Sequence, residues 1–409
     1  MASQGDVEFE HWVLTSADGL ALLDEVAKNR SPRPADLTRW RKTHRPEHVS
    51  AALRIADGRR RGRAKFARAD AMWFDAVGLE QATAEPVARH KARRFQGSPV
   101  LDLCCGIGGD ALALAAAEAQ RIYAVDADPG MCRRVRWNAT VHGVNERIEP
   151  LQARAEQLKV DGHDQLLVHV DPDRRKSKGR RARTVEEYRP GLPYLKSLMT
   201  NARGGAIKLS PASDFLDLFG NQPLELELIS LGGECKEATV WFGALAGDCR
   251  RRATRLPEGA TWTEHDGPVS PYVAASEPSR WVYDPDPSLG RSGLLDAFAQ
   301  THGLRRCGPS IDFLTSDTLV LSPFLAPFET QDVLPLDLKT LKRVVATQAL
   351  GPLEIKVKGL DLRPESVRAS LKPKGPNPAT LLLMGGSGPG RAIVGRRVQQ
   401  PSAPIPPTA

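Results

Sequence analysis

The 409-residue sequence has no apolar run near the ~18 residues a membrane helix needs; its best stretch, Leu112 to Ala119, is short and alanine-rich. It starts Met-Ala-Ser-Gln-Gly-Asp-Val-Glu, without the basic start and apolar core of a secretory signal. Its cysteines, at 104, 105, 132, 235, 249 and 307, form no C-x-x-C pair, and adjacent Cys104 and Cys105 beside a glycine-rich turn are poorly placed for a bridge. No internal repeat is visible. These absences argue against a membrane protein, a disulfide framework and a structural zinc module, and predict a reduced, cytoplasmic chain without metal. A hydrophobic fraction of 41% and a charged fraction of 26% exclude overall disorder. The length suggests two or three domains. The net charge of +8 is modest, so its placement matters more than its size.

Composition divides the chain. Residues 1–95 read as a basic helical region, with apolar residues at helical spacing around Trp12, Leu22-Leu23 and Val26, and a break at Ser31-Pro32-Arg33-Pro34. Arg30 to Arg94 holds 17 Lys/Arg against 7 Asp/Glu, densest at Arg59-Arg60-Arg61, Arg63, Lys65 and Arg68. Such a run is either a solvated helix face or a phosphate-facing surface. Residues 96–275 alternate short apolar strands, at 99–103, 121–126, 147–151, 166–171 and 206–209, with helical stretches, and close on a hairpin around Gly232-Gly233. That alternation predicts a parallel, doubly wound α/β sheet. Residues 276–398 read as a small α+β module, and 399–409 as a proline-rich disordered tail.

The central motif is Val100-Leu101-Asp102-Leu103-Cys104-Cys105-Gly106-Ile107-Gly108-Gly109. A glycine turn after a first strand lets backbone approach a ligand. Gly106, Gly108 and Ala111 formally satisfy a dinucleotide pattern, a weak match alone. Asp102 tips the choice. A carboxylate there repels a pyrophosphate but attracts the α-ammonium and sulfonium of S-adenosylmethionine (SAM). Asp126 ends the second strand, where an acid can accept two ribose hydroxyls; Ala127 adjoins it.

At these residues the sequence resembles the class I SAM-dependent methyltransferases. The segment Met72 to Thr83 resembles the one that closes over the methionine end of the cofactor in trimethylguanosine-synthase-like enzymes. On that resemblance, Gln81 and Thr83 bond the cofactor carboxylate, and Arg154 and Ala155, after the third strand, fall where such enzymes contact adenine.

The fourth strand ends Val170-Asp171-Pro172-Asp173-Arg174-Arg175. Ligands sit beyond the carboxyl ends of such strands, so Asp171 and Asp173 are candidate catalytic residues that hold or deprotonate a nucleophile. Amino-methylating enzymes of nucleic acids usually show Pro-Pro-aromatic here; Asp173 and Arg174 replace the second Pro and the aromatic, which leaves the nucleophile open. Seven of the ten residues from Arg174 to Arg183 are basic, and Arg174, Arg175, Lys176 and Lys178 are candidate contacts to RNA phosphates. Lys208, near the end of the fifth strand, either faces the same pocket or snorkels structurally.

Taken whole, the chain resembles bacterial SAM-dependent methyltransferases with a C-terminal THUMP-like domain. The resemblance is carried by Gly78 to Thr83, the Asp102 loop, Asp171-Pro172-Asp173-Arg174-Arg175, Lys208-Leu209-Ser210-Pro211, Gly233 to Ala238 and Trp281 to Asp286. It implies a Rossmann-like methyltransferase sheet between an N-terminal helical region and an α+β THUMP-like domain, with SAM as cofactor and RNA as partner. Three functions stay open: an RNA methyltransferase, a methyltransferase of a small molecule or protein, and a non-catalytic RNA-binding protein that retains SAM.

Overall fold

The computed structural model describes residues 4–160, 165–173, 188–211, 219, 222–308, 311–386 and 390–399. The chain forms two compact units, 1–224 with 239–247, and 225–238 with 248–409.

The first unit opens with helices α1 (Gln4–Thr15), α2 (Ala17–Lys28), α3 (Pro34–Thr43) and α4 (Pro46–Gly62). Ser16 caps α2 by accepting from the Gly19 amide, and Pro34 and Pro46 start α3 and α4 where a missing N–H costs nothing. The stripe Leu22, Leu23 and Val26 packs with Val13, Trp40, Val49, Ile55 and Trp73 into one core.

Much of the basic run at the end of α4 turns out to bind the chain itself. Arg59 Nε donates to the Met72 carbonyl at 3.1 Å, and Arg68 to that of Val141 at 2.7 Å. Lys65 Nζ donates to the carbonyls of Leu79, Glu80 and Ala82 at 2.7–2.8 Å. Arg54 pairs with Glu10 and Asp6. A hydrogen bond from a charged group contributes ~1.5–3 kcal/mol when shielded, less at the exposed members. Lys65 thereby fastens the short helix α5 (Ala76–Gln81), whose amides at Val77 and Gly78 are capped by Asp75.

After α6 (Glu85–Ala92) comes the α/β layer: β1 (Pro99–Leu103), α7 (Gly109–Ala116), β2 (Arg121–Asp126), α8 (Pro129–His142), β3 (Ile148–Gln152), β4 (Leu167–Val170), α9 (Leu192–Asn201) and β5 (Gly204–Leu209). The sheet order β3-β2-β1-β4-β5 is parallel throughout. The order reverses between β1 and β4, the switch point where a crevice opens. Leu112, Ala115, Ile122, Val135 and Trp241 belong to the core around it.

The second unit holds β6 (Leu224–Leu231) from Glu225 onward and the start of β7 (Glu234–Gly243). They are joined through Gly232 and Gly233 at φ +61° and +83°, the left-handed pair a tight hairpin turn requires. It continues with β8 (Arg251–Leu256), parallel to β6, and β9 (Ala260–Thr263), antiparallel to β8. The expected boundary at 275 thus falls inside this unit. Its remainder is β10 (Trp281–Pro285), α10 (Pro287–Ser292), α11 (Leu295–Thr301), β11 (Arg305–Arg306), β12 (Leu314–Ser316), β13 (Leu325–Pro335), α12 (Leu338–Thr347), β14 (Leu350–Lys358), α13 (Pro364–Leu371), β15 (Asn377–Met384) and β16 (Arg391–Arg397). Their sheet runs β11-β12-β10-β13-β16-β15-β14, with β14 and β15 parallel. Residues 400–409 of the expected tail lie outside the described residues.

Candidate active site

A cavity of about 330 Å³ lies at the carboxyl ends of the parallel strands in the first unit. Its walls are the Cys104–Ile107 turn, Asp126 to Asp128, Ala153 to Glu156, Asp171 to Asp173, the α5 residues Val77, Gly78 and Gln81, and Arg189 with Pro190.

Gly106 has φ +54°, and a Cβ there would meet nothing within 4 Å, so the backbone is open toward a ligand. Gly108 differs. It caps α7 at φ +88°, its missing Cβ would lie 3.2 Å from Val135 Cγ2, and it is absent from the cavity wall. The first glycine faces the cavity, while the second lets α7 approach α8. Cys104 is held at φ +58°, backbone strain at the cavity edge. Burial pushes both the Cys104 and Cys105 thiols up, so neither is an activated nucleophile.

Asp126 accepts the Gly106 amide on Oδ2 at 3.0 Å and the Asp128 amide on Oδ1 at 2.9 Å, which ties the glycine turn to β2. Burial raises its carboxyl despite these bonds. Ala127, Arg154 and Ala155 line the same wall.

Asp102 is fully buried at the cavity edge. Its Oδ1 accepts from His169 Nδ1 at 2.7 Å; its Oδ2 has no hydrogen-bond partner among the described residues. Burial raises this carboxyl and the His169 bond opposes the rise. A buried, unpartnered carboxylate oxygen is costly and suits an incoming ammonium.

The other end is built differently. Asp171 donates its amide to the Leu103 carbonyl at 3.1 Å, and its Oδ2 accepts from Lys208 Nζ at 2.6 Å. Lys208, 5% exposed, also donates to Thr83 Oγ1 at 2.8 Å, and Thr83 Oγ1 donates to Asp110 Oδ2 at 2.7 Å. Thr83 is therefore turned into this network and does not line the cavity, whereas Gln81 does. Gln81 Nε2 donates to Asp173 Oδ1 at 3.0 Å. Asp173 and Arg189 exchange two backbone bonds, at 2.7 and 3.0 Å. Arg174, Arg175, Lys176 and Lys178 lie outside the described residues.

Sequence reasoning missed three buried polar residues. Lys91 on α6 pairs with Asp110 on α7 at 2.9 Å, and its Nζ lies 3.4 Å from His169 Nε2. Asp110 is held well below the usual carboxylate range: Lys91, His169 and Lys208 together outweigh its burial. The available signals were a histidine inside an apolar strand and an aspartate opening an Ala/Leu helix. Among the described residues no group of His, Cys, Asp or Glu could hold a metal, and no helix is long and apolar enough to cross a membrane.

A glycine turn at a switch point, a ribose-competent acid and a buried carboxylate with a free oxygen fit SAM, and with the fold they define a class I methyltransferase. The comparisons agree. Family models match for a methyltransferase domain over residues 100–174, a THUMP domain-like region over 325–397 and a domain of unknown function over 11–62. An uncharacterized S-adenosylmethionine-dependent methyltransferase of Mycobacterium tuberculosis is 34% identical over 314 residues, covering 76% of this chain and 84% of that protein. The crystal structure of a Porphyromonas gingivalis protein described as a methyltransferase superposes with a TM-score of 0.72 at 20% identity, covering 98% of this chain and 100% of that one. That likeness is one of fold. The chain belongs to the SAM-dependent methyltransferases that carry a C-terminal THUMP-like domain.

Proposed function

We propose that this methyltransferase acts on RNA in the cytoplasm, with regions 1–95 and 276–398 gripping the substrate and region 96–275 carrying the chemistry. The observation that carries the reading is a THUMP-like region on the same chain as the cavity. The basic run Arg174 to Arg183, which follows cavity-lining Asp173 directly in sequence, adds to it.

SAM, when bound, supplies an activated methyl on a sulfonium. In this reading Asp102 Oδ2 takes the α-ammonium, Asp126 the ribose, and the Gly106 backbone lies against the ligand. Asp171 and Asp173 stand at the acceptor end, where they orient the nucleophile's lone pair and accept its proton. Arg174, Arg175, Lys176 and Lys178 contact phosphates.

The test is transfer from tritiated SAM to total RNA of a strain lacking the gene, followed by nucleoside analysis. Label in one modified nucleoside is expected; no label in any RNA overturns the reading. A second reading, transfer to a protein or small molecule, is favoured by the commitment of Arg59, Lys65 and Arg68 to backbone carbonyls. Label in protein or in a small-molecule fraction would select it.

A further inference from the structure

We infer that His169 is a positioning residue for the cofactor: its Nδ1–H anchors Asp102 Oδ1 so that Oδ2 faces the α-ammonium, and Lys91 with Asp110 fixes the imidazole. This rests on the reading of Asp102 as the ammonium partner.

The geometry follows from the sheet. Asp102 on β1 and His169 on β4 are register partners on adjacent parallel strands, so their side chains rise on the same face. Both are buried, His169 at 2% and Asp102 at 0% exposure. The carboxylate accepts, so the imidazole proton of this bond sits on Nδ1 in either charge state. On the far side of the ring, Nε2 faces Lys91 Nζ at 3.4 Å and Asp110 Oδ1 at 3.8 Å, and Lys91 is itself locked to Asp110. Phe95, fully buried, meets the ring edge-on with centroids 6.3 Å apart. The imidazole is thus held on both nitrogens and by an aromatic neighbour. Without it Asp102 would be a buried carboxylate with neither oxygen bonded, free to turn or to protonate.

The charged and titratable groups around Asp102 are His169 on β4, Asp171 after it, Asp110 on α7, Lys91 on α6, Asp126 on β2, and Cys104 and Cys105 in the turn. Burial and the neighbouring acids push the Asp102 carboxyl up, and the His169 bond holds it down. Protonation removes the charge that takes an ammonium, so SAM affinity falls as pH falls through the Asp102 value. Loss of the His169 bond moves that midpoint upward.

Two amide variants separate the ring nitrogens. His169→Asn keeps a donor where Nδ1 stood; His169→Gln places its amide near Nε2 and leaves Asp102 Oδ1 unbonded. The experiment is SAM titration calorimetry of the full chain from about pH 5 to pH 7.5, with Asp102→Asn as control and melting temperatures in parallel. His169→Gln should weaken SAM about tenfold or more near neutrality and shift the acid limb upward, while His169→Asn stays within a few fold of the parent. Equal losses in the two variants with an unmoved acid limb would make His169 a packing residue and overturn the inference. So would parent-like binding by folded His169→Gln. If Asp102→Asn binds SAM as the parent does, the ammonium assignment itself fails, a result distinct from either.

Discussion

Two aspartates stand at neighbouring strand ends of one cavity, and their surroundings oppose each other. Asp102 is fully buried, with one oxygen anchored by His169 and the other bonded to nothing among the described residues. Asp171 is 21% exposed in its side chain and has an oxygen taken by the Lys208 ammonium at 2.6 Å. The first is an acceptor waiting for a cation, the second a carboxylate that already has one. One polar chain runs between them, from Asp102 through His169, Lys91, Asp110, Thr83 and Lys208 to Asp171, every link 3.4 Å or shorter. The two aspartates are thus ends of one network. In the proposed reading, the open end takes the cofactor's ammonium and the end already paired with Lys208 orients the acceptor.

The largest expected effect tests the acceptor end. Asp171→Asn keeps the shape and one hydrogen-bond acceptor but loses the basicity, and positioned acid–base groups contribute ~10²–10⁴-fold. Single-turnover transfer at saturating SAM and acceptor should slow by about 10²-fold, the low end, because Lys208 holds one carboxylate oxygen. SAM affinity should change little. A full rate would make Asp171 a strand-end cap and erase the functional half of the contrast. Asp173→Asn, at a side chain whose Oδ1 accepts from Gln81 Nε2, should slow transfer less.

At the cofactor end, Asp102→Asn removes a charge-assisted bond worth ~1.5–3 kcal/mol, about a 10- to 100-fold loss of SAM affinity by calorimetry. The rate at saturating SAM should hold. The two substitutions therefore split binding from turnover, and a loss of rate without a loss of affinity in Asp102→Asn would break the comparison. Apo stability should move the opposite way. Asp102 has its folded value raised above that of the unfolded chain, so its contribution is full below the unfolded value and is lost as pH rises through the folded one. His169 is likewise raised: burial lowers it, but Asp110 and Asp102 win. Its contribution is full below about pH 6.5 and fades as pH rises through the higher folded value. Relative to the parent, the melting temperature of apo His169→Gln should therefore show a shallower decline on the alkaline side of that point.

What could be read from the sequence was what is local. The spacing from Asp102 to Gly106, the acid closing the second strand and the Asp171-Pro172-Asp173 strand end are set by a few consecutive residues, and all line the cavity. The hairpin was legible from paired glycines. The His169 bond was not, because it joins residues 67 apart that meet only through strand register. The surroundings of Thr83 were not legible either: the resemblance implies a cofactor contact, while the bonds of its hydroxyl to Asp110 and Lys208, which arrive from α7 and β5, exist only in the fold. The basic run around α4 leaves two readings open for the same reason: charge density along the chain is local, whereas the carbonyls that Arg59, Lys65 and Arg68 bind are supplied by the fold.

The smallest expected effect lies within the glycine turn itself and sharpens the contrast on a finer scale. Gly106 and Gly108 both sit at positive φ, +54° and +88°, so an alanine at either pays a left-handed strain of roughly 1–2 kcal/mol. Beyond that they part. Gly106→Ala meets no neighbour, so its melting temperature should drop by only a few degrees, while the added methyl occupies ligand space and weakens SAM. Gly108→Ala drives a methyl to 3.2 Å from Val135 Cγ2, in the packing of α7 on α8, so it should melt lower than Gly106→Ala yet bind SAM nearly as the parent does. Paired melting curves and SAM titrations distinguish the two. If Gly108→Ala loses SAM affinity as strongly as Gly106→Ala at equal stability, both glycines face the ligand, and the division between a binding glycine and a packing glycine is wrong.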